Sequence, residues 1–306
     1  MGTPLDVVTG GAGFIGSHLV EALLAAGRRV RVVDDLSTGR RERVPAGAEF
    51  LAADVNDAAG AAVRGAEVVY HLAALPSVPR SVERPLESHR ATAQGTMAIL
   101  EASARAGVRR VVFAGSSSVY GDTATLPKRE DMPPRPLSPY AAAKLAGEMY
   151  ARAFAAQGRV EAVCLRFFNV YGPRQDPDSP YAAVIPVFLR RAREGRPFPI
   201  YGDGLQTRDF TFVGDVVEGI LAAGRAPGVS GRVYNIAAGR PVSVRDLARV
   251  LAAILGVPDA VEARPPRPGD IRDSWADVSA ARRDLGFAPR VPLEEGLRRT
   301  AQALEP

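Results

Sequence analysis

The first half of the chain alternates short apolar runs with polar punctuation. Residues 4–9 read as a buried strand, and residues 10–16 form a glycine-dense turn. Residues 14–26 show helical spacing and stop at Gly27, and residues 29–33 form a second strand ending at Asp34-Asp35. Such a strand–turn–helix–strand unit has the length of a βαβ element. The pattern then continues. Residues 49–52 and 66–72 read as strands, 86–106 as a helix and 109–114 as a strand. Ser138-Pro139 opens another helix, with Ser as N-cap and Pro at the first helical position, running to about Gln157. Residues 160–167 are again strand-like. This alternation predicts an α/β fold with a doubly wound, mostly parallel sheet covered on both faces.

Beyond Asn169 the texture changes. Residues 172–180 are rich in Pro, Asp and Gly, and residues 184–194 are helical. A loop-rich stretch over 196–209 leads to a strand and helix near 210–223, and residues 233–236 form another strand. Residues 258–272 are rich in Pro and Arg, and 278–285 read as a short final helix. The expected division is a dinucleotide-binding (Rossmann) domain over 1–168, with returning segments at about 210–236. A smaller C-terminal substrate-binding cap would take 169–209 and 237–306.

An apolar fraction of 46% with 24% charged residues describes an ordinary globular protein. The net charge of +5 invites a nucleic-acid or membrane reading. The arginines, however, are scattered and mixed with acids, and no run of five basic residues occurs. An anionic small substrate accounts for the charge equally well, so neither nucleic acid nor membrane is an expected partner. Cys164 is the only cysteine, which excludes an intramolecular disulfide and a cysteine metal site. His18, His71 and His89 show no ligand spacing, so no metal is expected. No apolar stretch is long enough to span a bilayer. A strand-like run begins within four residues of the start, so no signal peptide is expected and the cytoplasm is the expected location.

Gly11-x-Gly13-x-x-Gly16 and Gly10-x-x-Gly13-x-x-Gly16 are both dinucleotide fingerprints. One glycine makes the tight turn, one admits a pyrophosphate, and one lets helix and strand pack closely. The helix N-terminus then presents free N–H groups to the phosphates. A strand before, a helix after and an acid about 20 residues on complete the context. Asp34 is that acid, and its carboxylate can accept from both ribose hydroxyls while repelling a 2′-phosphate. NAD is therefore expected rather than NADP. Asp35 is either an alternative ribose ligand or a turn residue. Asp54, after the third strand, either meets the adenine edge or makes a turn.

Only two of the 39 basic side chains are lysines, and one of them, Lys144, follows Tyr140 by one helical turn on the same face. A nearby ammonium favours the phenolate, so the pair can act as a general base near neutral pH. Ser116-Ser117-Ser118 follows a predicted strand, at the open end where α/β folds place their sites. A serine there can hold a substrate hydroxyl while the tyrosine takes its proton.

These residues together resemble the extended short-chain dehydrogenase/reductase family, the nucleotide-sugar epimerases and dehydratases. The matching segments are Thr9-Gly10-Gly11-Ala12-Gly13-Phe14-Ile15-Gly16, Asp34-Asp35-Leu36-Ser37-Thr38-Gly39, His71-Leu72-Ala73-Ala74, Ser116-Ser117-Ser118-Val119-Tyr120-Gly121, Ser138-Pro139-Tyr140 with Lys144, and Leu165-Arg166-Phe167-Phe168-Asn169-Val170-Tyr171-Gly172-Pro173. Arg208-Asp209-Phe210 and Arg267-Pro268-Gly269-Asp270 follow in order. Within the family the chain looks most like the UDP-hexose 4-epimerases. Ser77-Val78-Pro79-Arg80-Ser81, Arg174-Gln175-Asp176-Pro177 and residues 181–186 look like the branch that handles N-acetylhexosamines.

The resemblance implies Ser116, Tyr140 and Lys144 as the catalytic set, with Tyr140 as base and Lys144 binding ribose and tuning it. It implies a tightly bound NAD, regenerated each cycle, with contacts from Gly10, Gly13, Phe14, Ile15, Gly16, Asp34, Asp35, Ser37, Thr38, Gly39, Asp54, Val55, Leu72, Ala73, Ala74, Tyr140, Lys144 and Phe167. A UDP-sugar would meet Ser116, Ser117, Ser118, Tyr140, Asn169, Ala183, Val184, Tyr201, Arg208, Arg267, Asp270 and Ser274. Arg208, Arg267 and Asp270 would hold its phosphates and ribose, and Tyr201 would pack near the uracil. The implied activity is C4 epimerisation through a transient 4-keto sugar, and the implied assembly is a homodimer built on the helices near 86–106 and 138–157.

Two departures bear on this. The family's 4,6-dehydratases carry Thr-Asp-Glu where Ser116-Ser117-Ser118 stands, so no acid is available to protonate a leaving hydroxyl. Thr92 replaces a frequent asparagine that orders loops around the cofactor, which bears on cofactor retention. Ser274 falls where family members vary residue size around an N-acetyl group, and a small residue leaves room. The remaining readings are a nucleotide-sugar reductase or dehydratase of the same family, and a non-catalytic dinucleotide sensor. An intact Ser116, Tyr140 and Lys144 set argues against the sensor.

Overall fold

Strand alternation sends successive side chains to opposite faces, and here both faces are apolar. The first strand, β1 (Leu5–Thr9), carries Val8 into one core cluster and Val7 into the other, and both residues are fully buried. The same division holds along β2 (Arg29–Asp34), β4 (Ala66–His71), β5 (Arg110–Ser116) and β6 (Glu161–Phe167). A sheet buried on both sides must be covered by helices on both sides. The structure, a computed structural model, describes residues 3–176, 183–266 and 271–303.

The central sheet has seven parallel strands. With β3 (Glu49–Ala52) at one edge, the order is β3, β2, β1, β4, β5, β6, and then the last strand, Val233–Ile236. The order reverses beside β1, where the chain leaves β1 for β2 on one side and later fills in β4 on the other. Doubly wound sheets bind ligands at such a switch point. The helix α1 (Phe14–Ala25) starts there, directly after the glycine turn.

Several elements differ from the sequence expectations. A helix over Val55–Val63 follows β3, capped by Asp54, whose side chain accepts from the Asn56 N–H. The segment expected as one helix over 86–106 consists of Pro85–His89, a π-helical turn at Arg90–Gln94, and Gly95–Ala106. The loop-rich stretches hold short strands at Phe198–Tyr201 and Val261–Arg264, which pair in parallel. Thr207–Arg208 lies between Val242–Ser243 and Asp273–Ser274. Helices at Val244–Leu255 and Leu293–Gln302 were not anticipated, so Ser279–Leu285 is not the last helix. These later elements gather around their own apolar cluster, which includes Phe188, Phe198, Phe210, Leu247, Leu251 and Leu297.

The helix Pro139–Ala156 is capped as expected, with Ser138 accepting from the Ala141 N–H at 3.2 Å. It is locked to β6 by a buried ion pair. Arg166 Nε and Nη2 donate to the two oxygens of Glu148 at 2.8 and 2.7 Å. The guanidinium also lies over the Tyr120 ring, 4.6 Å from its centroid. Removing one partner of a buried pair leaves an uncompensated charge, typically at about 3–5 kcal/mol. Glu148→Ala is therefore expected to destabilise the protein by about that amount, with Glu148→Gln less damaging, as measured by denaturant unfolding.

Candidate active site

The glycine turn shapes the cofactor cleft by close approach. Gly10 has φ +70°, and a Cβ there would come within 2.8 Å of the Ala73 nitrogen. A side chain on Gly16 would run into the Gly10 carbonyl oxygen. These are cradles that a larger residue would fill, as a dinucleotide fingerprint requires. Asp34 ends β2 beside the turn, accepting from the Ala12 and Leu36 N–H groups at 2.9 Å each. Burial raises its pKa, and those two amides pull the other way. Its remaining lone pairs are available to ribose hydroxyls. Asp35 accepts from the backbone and hydroxyl of Ser37. Gly39 packs beneath Asp34 rather than lining the cleft.

The cleft, of about 810 Å³, brings together most of the expected cofactor residues: Gly10, Gly13, Phe14, Ile15, Gly16, Asp34, Asp35, Ser37, Thr38, Asp54, Val55, Leu72, Ala73, Ala74, Tyr140, Lys144 and Phe167. The donor set fits NAD: helix N–H groups for phosphates and a carboxylate for the ribose.

A chain of hydrogen bonds stiffens this wall. The Ala73 N–H donates to Thr9 Oγ1, which donates to His71 Nδ1 at 2.7 Å. Thr96 Oγ1 donates to the Thr92 carbonyl at 2.6 Å, so it accepts from His71 Nε2 at 3.1 Å. The imidazole is thereby held as its Nε2–H tautomer. Burial, then the nearby Lys144, pushes its pKa down to about 3. Thr92 contributes its carbonyl, and its hydroxyl has no hydrogen-bond partner among the described residues.

Tyr140 and Lys144 point toward the end of β5. Lys144 Nζ donates to the Ala114 carbonyl at 2.7 Å and sits 5.2 Å from the centroid of the Phe113 ring. Burial alone lowers its pKa to about 7. The Tyr140 hydroxyl lies beside Ser116, yet burial pushes its pKa up to about 12. The sequence reading expected Lys144 to lower it. Desolvation outweighs that effect here, because the lysine charge is itself disfavoured and turned to Ala114.

Ser116 Oγ shares a 2.8 Å hydrogen bond with Ser118 Oγ. Ser117 and Ser118 continue into a tight turn over Ser117–Tyr120 and do not line the cleft, contrary to expectation. Ser118 supports Ser116 through that hydrogen bond.

A second cavity of about 650 Å³ lies in the C-terminal part and is lined by Asn169, Ala183, Val184, Tyr201 and Arg208, all expected substrate residues. It also includes Arg190, Arg196, Gln206 and Arg264, which the motifs did not single out. Asn169, Val170, Gln175 and Ala183 line both cavities, so the two adjoin. Ser274 pairs with Arg208 in a short sheet and does not line the cavity. Arg267 and Asp270, with Pro177, Tyr181 and Ala182 of the motifs, lie outside the described residues. Among the described residues no His, Cys, Asp and Glu group could hold a metal ion, and no helix is long and apolar enough to cross a membrane.

A family model described as the NAD dependent epimerase/dehydratase family matches residues 7–237. The chain belongs to that family. It is 43% identical over 305 residues to a UDP-glucose 4-epimerase of Mycolicibacterium smegmatis, covering 97% of each chain. Among solved structures, a UDP-N-acetylglucosamine 4-epimerase of Methanobrevibacter ruminantium, in complex with UDP-N-acetylmuramic acid, matches with a TM-score of 0.95 and 36% identity. That match covers 99% of this chain and 98% of the other. A UDP-glucose 4-epimerase of Thermotoga maritima with UDP-glucose matches with a TM-score of 0.94 and 38% identity, over 98% of each chain.

The depressed Lys144 value carries a pH signature. An unfolded lysine holds its proton up to about pH 10.5, whereas the folded one releases it near 7. The unfolded state therefore binds more protons between these limits, and stability contributed by this site rises with pH across that window. Lys144→Met is expected to flatten that rise in cofactor-free protein, read from denaturant midpoints at pH 7 to 10.

Proposed function

We propose that this chain is an NAD-dependent 4-epimerase of UDP-hexoses. The observation that carries the reading is the meeting of Tyr140, Ser116 and Lys144 in the cleft, with no carboxylate beside them. The acids lining the cleft are Asp34, Asp35, Asp54 and Asp176, and none lines the adjoining cavity among the described residues. Dehydration needs an acid to protonate a leaving hydroxyl. A proton shuttled on and off one hydroxyl needs only the tyrosine and serine present.

In this reading the UDP group lies in the C-terminal cavity, with Arg208 toward the diphosphate and Tyr201 toward the base. A guanidinium suits a diphosphate because it can donate in parallel to two oxygens. The sugar then reaches past Asn169 toward Ser116. NAD at the cleft contributes hydride acceptance and return at its nicotinamide. Tyr140 takes the 4-OH proton while Ser116 holds the oxygen in line. Lys144 positions the ribose side of the cleft and places a titratable charge beside the tyrosine. The 4-keto sugar, held less firmly than its nucleotide, turns to present its other face, and Tyr140 returns the proton.

Tyr140→Phe is expected to lower turnover by about 10²- to 10⁴-fold, the range for general acid–base catalysis, while UDP binding by calorimetry survives. Retention of most of the rate would rule the role out. Incubation with UDP-glucose, and separately with UDP-N-acetylglucosamine, without added NAD should give galacto-configured anomeric signals by NMR. Loss of water from the product by mass would instead support a dehydratase.

We also propose a homodimer. Leu86 (84%) is the most exposed large apolar side chain among the described residues, with Val82 (65%) on the preceding helix Val78–Glu83 and Met149 on the neighbouring helix. Leu86 and its neighbours pack beside Pro139–Ala156, which carries Tyr140. Leu86→Asp is expected to yield monomers by analytical ultracentrifugation, where the unaltered chain sediments as a dimer.

A further inference from the structure

Arg174, Gln175 and Asp176 line the cofactor cleft, and the segment 172–176 that carries them is fastened to the dinucleotide-binding part from several sides. His18 Nε2 on α1 meets the Pro173 carbonyl at 3.0 Å, and since a carbonyl only accepts, the ring donates. Glu21, three residues further along the same helix, pairs with Arg174. Asp176 approaches Arg40, from the loop after β2, at 4.0 Å. Within the segment, Gln175 Nε2 donates to the Val170 carbonyl at 3.2 Å. Arg174 has φ +68°, a left-handed conformation unusual for a side-chain-bearing residue. Such a conformation persists where its surroundings over-determine it.

The rim also gathers positive charge. Arg40, Arg43 and Arg174 all line the cleft. The Arg43 backbone N–H donates to the Arg40 carbonyl, but its guanidinium makes no hydrogen bond or ion pair with a described residue. Burial lowers its pKa, and repulsion from Arg40 and Arg174 works in the same direction, against the attraction of Asp176 and Glu42. Arg174 Nη1 is enclosed without a hydrogen-bond partner among the described residues. Like charges collected around a cavity are relieved by an anion placed between them. The N-terminus of α1 faces the same space with its own free N–H groups.

We propose that residues 172–176 strap the dinucleotide in place, and that Arg43, with Arg174 beside it, contacts its diphosphate so that the cofactor stays bound between turnovers. Asp34 opposes a 2′-phosphate at the adenosine end, which leaves the diphosphate as the anion these arginines serve. The inference rests on NAD as resident cofactor and is independent of the sugar. Retention matters because hydride taken from a sugar must return to that same sugar before the dinucleotide leaves.

The test uses holoprotein loaded with deuterated NAD and exchanged against unlabelled NAD, with the protein-bound pool followed by mass spectrometry. Arg43→Ala and Arg174→Ala are expected to release NAD about ten- to a hundredfold faster, as for loss of one charge-assisted hydrogen bond. That factor should shrink at 0.5 M salt, where such charges are screened over roughly a few ångströms. Arg43→Lys should recover part of the retention as a point charge, and Arg43→Gln serves if alanine disturbs the single 3₁₀ turn at Arg41–Arg43. His18→Ala, which loosens the fastening without removing a cleft arginine, should speed release equally at low and high salt. Arg105→Ala, an exposed charge paired with Glu101, is expected to match the unaltered protein. Release within twofold of the unaltered rate in both arginine variants would overturn the proposal. So would a salt-independent effect, or tighter retention of NADP than of NAD.

Discussion

One buried carboxylate–guanidinium pair holds the reacting elements in register. Glu148 sits one turn beyond Lys144 on the helix Pro139–Ala156, and Arg166 is the neighbour of Phe167 on β6. Gly115 and Ser116 of β5 pair with Arg166 and Phe167. The strand bearing Ser116 and the helix bearing Tyr140 and Lys144 are thus referred to the same guanidinium. Its ring partner Tyr120 donates to Asn235 at 2.6 Å, and Asn235 in turn ties the last strand to the Lys128 carbonyl at 2.9 Å. Such a network is strong when complete and costly when cut, because a low-dielectric interior penalises every unpaired member.

The same interior sets the chemistry. Tyr140 and Lys144 are both driven toward their neutral forms by burial, and His71 is driven the same way behind them. The cleft without ligands is therefore an environment that resists charge. The exception is its outer rim, where arginines collect. Positive charge is concentrated at the rim and withheld around Tyr140 and Lys144.

Much of this was legible in the sequence for physical reasons. A glycine turn between a buried strand and a helix has few uses, and Gly10 and Gly16 are confined by backbone that leaves no room for a Cβ. Ser138-Pro139 announced a helix start by its capping chemistry alone. Other features were hidden. Asp54 lines the cleft and also caps Val55–Val63, a helix that went unseen because its glycine and alanines give a weak periodic signal. Val244, Leu247, Ala248, Leu251 and Ala252 do follow helical spacing, but the surrounding arginines and prolines masked it. The effect of Lys144 on Tyr140 was misjudged because spacing along a helix reports proximity and says nothing of desolvation. In the second cavity Arg190, Arg196 and Arg264 were missed, since they meet only when the helix Val184–Arg193 and the strand Val261–Arg264 come together.

The wall formed by Asn169, Val170, Gln175 and Ala183 belongs to both cavities. Two ligands that share a boundary are coupled where either one orders it. Whatever ordering the first imposes on that boundary, the second finds already done, and linkage makes the benefit reciprocal. Redesign of the sugar pocket through these four positions would therefore alter the hold on the dinucleotide as well. A change of nucleotide-base preference made away from the shared wall, at Tyr201 or Gln206, would leave that hold intact.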